Sequence, residues 1–135
     1  MGRPLIYLDA NVVIRLVEGD AATRAPLVAR LTPALGLAAS LITSRLTRLE
    51  CRSKPLAAGD LATLAQFDVF FAGIELFLAE VSPAVIEAAT ELRARYNLRT
   101  PDAIHFATAV EVGAHVFLTG DQSFSRCSEV PVETL

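Results

Sequence analysis

Leu5-Ile6-Tyr7-Leu8-Asp9 is the stretch that decides the fold: four apolar residues in a row, closed by a carboxylate. A strand with one face in water alternates apolar and polar residues, whereas a continuous apolar run belongs to a strand covered on both faces. Covered strands are parallel and joined by helices, so helical periodicity should follow. It does. The spacing predicts a helix over residues 11–18, closed by Gly19-Asp20, and a second over 23–31, with Pro33 just beyond it. Residues 37–42 form the next strand candidate, and Thr43-Ser44 then supplies N-cap chemistry for a helix ending near Lys54-Pro55. Asp60 caps a helix running toward Phe71, and residues 74–78 are a third strand. Ser82-Pro83, an N-cap with proline at N1, opens a long helix to about Tyr96. Thr100-Pro101 repeats that signature, and Gly113 terminates the helix it opens. Residues 116–118 are a fourth strand and 130–132 a weak edge strand, because Pro131 cannot donate to a ladder. Strands separated by helices, without repeat or linker, imply one domain over residues 1–135: an α/β fold around a mostly parallel sheet.

Composition agrees with that size and class. The chain has 135 residues, 53% of them hydrophobic and 20% charged, enough to bury a core without disulfides or metal staples. Cys51 and Cys127 are isolated, with no CxxC spacing, as suits free thiols in a reducing compartment. The longest uncharged run, residues 31–44, is fourteen residues and is broken by Pro33 and Gly36. A membrane span needs about 20, so the expectation is a cytoplasmic protein with no membrane contact. Lys+Arg is 12 against Asp+Glu 15, a formal net charge of −3, which excludes a basic, non-specific nucleic-acid binder.

The placement of the acids says more than their number. Open parallel sheets build their sites beyond the carboxyl ends of the strands. Asp9 ends the first strand, Asp121 follows the fourth, Asp102 sits in the first turn of the helix opened by Thr100-Pro101, and Glu50 lies on the helix after the second strand. Taken singly, each has an ordinary role: an N-cap for Asp9, a dipole partner for Asp102, a turn residue for Asp121, an ion pair with Lys54 for Glu50. Together at one sheet edge they repel: two like charges about 4 Å apart cost on the order of 4 kcal/mol at an effective dielectric of 20. A cation between them removes that cost. Carboxylate oxygens suit Mg²⁺ or Mn²⁺, and the chain has no His/Cys spacing for zinc. Hard divalent ions held by acids serve phosphate chemistry. Setting the four aside turns the net charge of −3 into +1.

The same residues carry a resemblance. Tyr7-Leu8-Asp9-Ala10-Asn11-Val12-Val13-Ile14 resembles the opening motif of PIN-domain ribonucleases. The stretches 43–50, 98–105 and 117–124, ending in or containing Glu50, Asp102 and Asp121, are similar to the three acidic motifs that follow, in the family's order. The size matches the VapC-type toxins of toxin–antitoxin pairs. The resemblance implies a three-layer α/β/α fold with a central five-stranded sheet, and Mg²⁺- or Mn²⁺-dependent cleavage of RNA by water. It implies that Asp9, Glu50, Asp102 and Asp121 are the catalytic, metal-holding quartet, supported by Asn11 and Thr119. It also implies a homodimer and a cognate antitoxin. The alternative is a catalytically weak PIN-fold module that binds RNA or a partner protein.

Arg45, Arg48 and Arg52 share one helical stripe, and Arg93, Arg95 and Arg99 crowd the approach to Asp102. A solvated helix face accounts for them; the functional reading gives Arg45, Arg48 and Arg99 to RNA phosphates or to an acidic partner segment. His105, one turn after Asp102, reads as packing or surface, with a place near the site as the alternative; His115 reads as structural. Phe67, Phe70, Phe71 and Phe106 fall at helical spacings and read as core. Lysine-dependent phosphoacceptor and phosphatase folds are excluded, because the late strand continues Leu118-Thr119-Gly120 and the one lysine is Lys54.

Overall fold

A computed structural model describes residues 3–135. Its five strands are β1 (Leu5–Leu8), β2 (Ser40–Ser44), β3 (Leu76–Ala79), β4 (Val116–Thr119) and β5 (Val132–Thr134). They form one sheet in the order β3-β2-β1-β4-β5, with every pairing parallel. The helices are α1 (Ala10–Glu18), α2 (Ala21–Gly36), α3 (Arg45–Ala58), α4 (Leu61–Phe71), α5 (Pro83–Tyr96) and α6 (Thr100–Glu111). Among the described residues no helix is long and apolar enough to cross a membrane.

The continuous apolar runs are explained by two cores. Ile6, Leu8, Leu41 and Leu118 face one way and pack with Val12, Val13, Leu27, Leu31, Phe67 and Phe71 from α1, α2 and α4. Tyr7, Ile42 and Phe117 face the other way, onto Val85, Leu92, Ala103 and Phe106 from α5 and α6. Tyr7 stacks on Phe117 at 5.2 Å, and Phe117 meets Phe106 and Phe124 at 5.1 and 4.7 Å.

Several boundaries differ from the sequence reading, each for a local reason. α2 runs through Pro33 instead of stopping before it, because Ala34 and Leu35 on the far side still pack on the core. β2 starts at Ser40, three residues late: Leu37 is largely exposed and Ala38 turns the chain at φ 63°. α3 passes Pro55, whose ring is buried, and stops at Gly59 in the left-handed region at φ 67°. β3 starts at Leu76, since Ile74 is exposed to solvent. Arg99 rather than Thr100 is the N-cap of α6, which makes Asp102 the third helical residue. β5 begins after Pro131, whose carbonyl accepts from the Phe117 N–H.

The chain steps from β1 to β2 and β3 on one side, then to β4 and β5 on the other. The order reverses at β1, and the crevice beyond the carboxyl ends of β1 and β4 is where such sheets place ligands.

Candidate functional site

Asp9 occupies that crevice. It leaves β1 in extended conformation and caps α1, its Oδ1 accepting from the Ala10 N–H at 2.9 Å. Its Oδ2 accepts from the Thr119 hydroxyl at 2.7 Å and from the Asn11 side-chain amide at 3.0 Å. Asn11 returns its own Oδ1 to the Gly120 N–H at 2.7 Å, and the Thr119 Oγ1 accepts from the Asp121 N–H at 3.0 Å. The ends of β1 and β4 are thus stitched together through side chains. Asp9 and Thr119 are buried. Burial pushes the Asp9 carboxyl above its ordinary range and the nearby Asp102 charge adds to the rise, against the opposing pull of His105, Thr119 and the Ala10 N–H.

Asp102 is buried in the first turn of α6, where the helix dipole favours it, and accepts from Arg99 Nε at 3.2 Å. Asp121 is half-buried and accepts from the Ser123 N–H at 2.8 Å. Arg99, Asp102, Asp121 and Arg126 line one cleft of about 270 Å³. The Arg99 guanidinium is raised above its ordinary value chiefly by Asp102, with Asp121 and Glu50 contributing, so one arginine stands in the field of three of the four acids. Glu50 enters from α3. Its Oε1 lies 2.5 Å from His105 Nε2, so the Glu50–Lys54 ion pair that the spacing allows is replaced by a long-range contact.

A family model, PIN domain, matches residues 6–130. The chain belongs to the PIN domain family. Similar solved structures include a chain of VapBC2 from Rickettsia felis bound to a promoter DNA fragment, at 14% identity and TM-score 0.77, covering 96% of this chain and 98% of that one. A chain of DNA-bound VapBC from Salmonella typhimurium has 16% identity and TM-score 0.73, over 97% and 98%. VapC20 of Mycobacterium tuberculosis, described as a toxin that cleaves the sarcin-ricin loop, has 22% identity and TM-score 0.66, over 93% and 98%. At these identities the likeness shows the fold. No curated protein matches the chain at a significant level.

PIN domains are nucleases that use divalent ions, and the donor set here suits such an ion: four carboxylates, a hydroxyl and an amide, all hard oxygen donors. Among the described residues, however, no three acidic, histidine or cysteine side chains are gathered closely enough to hold one as they stand. Among those residues both Asp9 oxygens are already hydrogen-bonded, while Glu50, Asp102 and Asp121 each use one carboxylate oxygen in a side-chain hydrogen bond and have the other available to an ion.

Two features of this PIN domain sharpen the sequence reading. His105, read there as packing or surface, is central: it is buried, bonded to Glu50, and 3.9 Å from Asp9 Oδ1. Its place one turn after Asp102 carried the alternative reading that the structure bears out. The arginine stripe is engaged elsewhere. Arg45 pairs with Glu80, while Arg48 and Arg52 share Asp68 at 3.3 and 3.0 Å. Their groove is lined with Leu46, Leu49, Leu56 and Val81 and is separate from the Asp102–Asp121 cleft. His115 is structural, its Nδ1 accepting from the Leu5 N–H at 3.0 Å.

Proposed function

We propose that this PIN domain is a Mg²⁺- or Mn²⁺-dependent endoribonuclease, the toxin of a toxin–antitoxin pair, acting in the cytoplasm and held in check by a separately encoded antitoxin. The observation that carries the nuclease reading is Asp9: a buried carboxyl at the reversal point of the sheet, pushed up by desolvation and by Asp102. Buried carboxyls raised in this way cluster at functional sites, and this one stands at the sheet's reversal point in addition to capping α1. Asp9, Glu50, Asp102 and Asp121 would hold the ion, which when bound supplies charge neutralisation and water activation at a phosphodiester.

The chain's own residues do the rest. Thr119 and Asn11 fix the Asp9 carboxylate from two sides. Arg99, exposed at the mouth of the cleft, is placed to receive a phosphate when an ion relieves it of Asp102. The toxin and antitoxin reading is supported by the similar structures, two described as DNA-bound VapBC and one as a sarcin-ricin loop cleaving toxin. One observation favours a binding module with little turnover: Asp102 is already engaged by Arg99.

The deciding experiment compares RNA cleavage with Mg²⁺ or Mn²⁺ by wild type, Asp9→Asn and Asp102→Asn. Loss of cleavage in both variants is the expected result. Equal activity in all three, or none with any cellular RNA, defeats the enzymatic reading, and sequencing the product ends identifies the target.

A further inference from the structure

His105 has both ring nitrogens committed, and neither to its own helix. Nδ1 lies 2.8 Å from the Tyr7 hydroxyl and Nε2 lies 2.5 Å from Glu50 Oε1. An ionised carboxylate only accepts, so Nε2 carries a proton toward Glu50, and Nδ1 shares a hydrogen bond with the Tyr7 hydroxyl whose direction follows the protonation of the ring. Tyr7 is immobile in turn: it is fully buried in β1 and stacked on Phe117. The result is a chain of hydrogen bonds from the sheet core, through α6, to a side chain on α3. Glu50 needs such an anchor. Its side chain is long and 31% exposed, whereas the imidazole is 1% exposed. Left free, a glutamate here would spread over several rotamers, and ordering it costs conformational entropy. A histidine that only filled the core would not place an N–H donor on a partly exposed carboxylate.

We infer that His105 is a positioning residue: pinned by Tyr7, it holds the Glu50 carboxylate at the edge of the Asp9 site and so presets the geometry in which an ion is bound. The inference rests on the proposed metal-dependent reading for its consequence, while the anchoring itself exists without metal. His105→Leu keeps the volume and removes the donor. His105→Gln returns an amide N–H near the place of Nε2, and Tyr7→Phe removes the pin with the ring left in place.

The metal-free protein is read first, by proton and nitrogen NMR of the imidazole. The Nε2 proton of a buried ring bonded to a carboxylate gives a slowly exchanging, low-field resonance that moves in Glu50→Gln and not in Asp121→Asn. Its absence, or its indifference to Glu50→Gln, overturns the anchoring. Mn²⁺ binding is then measured by calorimetry without RNA. His105→Leu weakens it about tenfold, the scale on which residues that orient ligands act; His105→Gln recovers most of the loss, and Tyr7→Phe falls between. Folded His105→Leu that binds Mn²⁺ as wild type does, or His105→Gln no better than His105→Leu, overturns the positioning role. Wild type that neither binds Mn²⁺ nor cleaves RNA defeats the proposed function instead, and the resonance alone then decides the anchoring.

Discussion

Thr119→Val is the sharpest test of how the site is built into the fold. Valine matches threonine in shape and is well suited to a strand, so the substitution removes a hydroxyl and little else. That hydroxyl donates to Asp9 Oδ2 at 2.7 Å and accepts from the Asp121 N–H at 3.0 Å, at a residue with no solvent exposure. The bond to the carboxylate is charge-assisted, worth about 1.5–3 kcal/mol, and the stranded Asp121 N–H costs about 1 kcal/mol more because water partly reaches it. The added methyl returns about 0.8 kcal/mol of apolar burial. The net loss is about 2–3 kcal/mol. With an unfolding entropy of about 2.1 cal/mol/K per residue over 135 residues, that loss lowers Tm by roughly 7–11 °C.

Urea unfolding of metal-free protein at neutral pH measures the loss, with an unchanged m-value as the check that only stability has moved. The control is Thr119→Ser, which keeps the hydroxyl and deletes a buried methyl, at a cost of about 1 kcal/mol. The order matters more than the size. If Thr119→Val is as stable as Thr119→Ser, or more so, the hydroxyl is not what couples β4 to Asp9, and the accounting is refuted.

Three further outcomes follow from the same geometry. Asp9 binds its proton more firmly folded than unfolded, so metal-free stability falls as pH rises above about 4 through the raised folded value. Asp9→Asn removes that stretch of the slope, and a titration of unfolding free energy that keeps it assigns the slope to another group. Arg99→Gln takes a guanidinium out of the field of Asp102, Asp121 and Glu50 and tightens Mn²⁺ binding by about two- to fivefold at low salt, less at high salt; weaker binding in calorimetry counts against Arg99 as the acids' resident counter-charge. Phe117→Ala opens a hole beneath Tyr7, Phe106 and Phe124 and costs about 3–5 kcal/mol in urea unfolding, a loss under 1 kcal/mol showing that the ring cluster is not tightly packed.

What the sequence made legible was position along the sheet. A parallel strand covered on both faces must be apolar to its end, so the first carboxylate after Leu5-Ile6-Tyr7-Leu8 has to mark the end, and the same logic places Asp121 two residues beyond β4. Helix ends were less legible where packing overrode the local signal: Pro33 reads as a terminator, yet the helix continues through it to Gly36, with Ala34 and Leu35 packed on the core. Least legible was what faces each acid. Tyr7 and Glu50 lie 98 and 55 residues from His105, and no periodicity reports contacts at that range. That gap changes the electrostatic argument. Read from the sequence, four acids at one edge repel until an ion arrives. In the folded chain the repulsion is already divided: Arg99 answers Asp102, His105 separates Glu50 from Asp9, and Thr119 and Asn11 donate to what remains. An ion entering the site therefore competes with Arg99 for Asp102, whereas His105 holds one Glu50 oxygen and leaves the other open. The two partners act on metal affinity in opposite directions: Arg99 opposes the ion, and His105 favours it by fixing Glu50 in place.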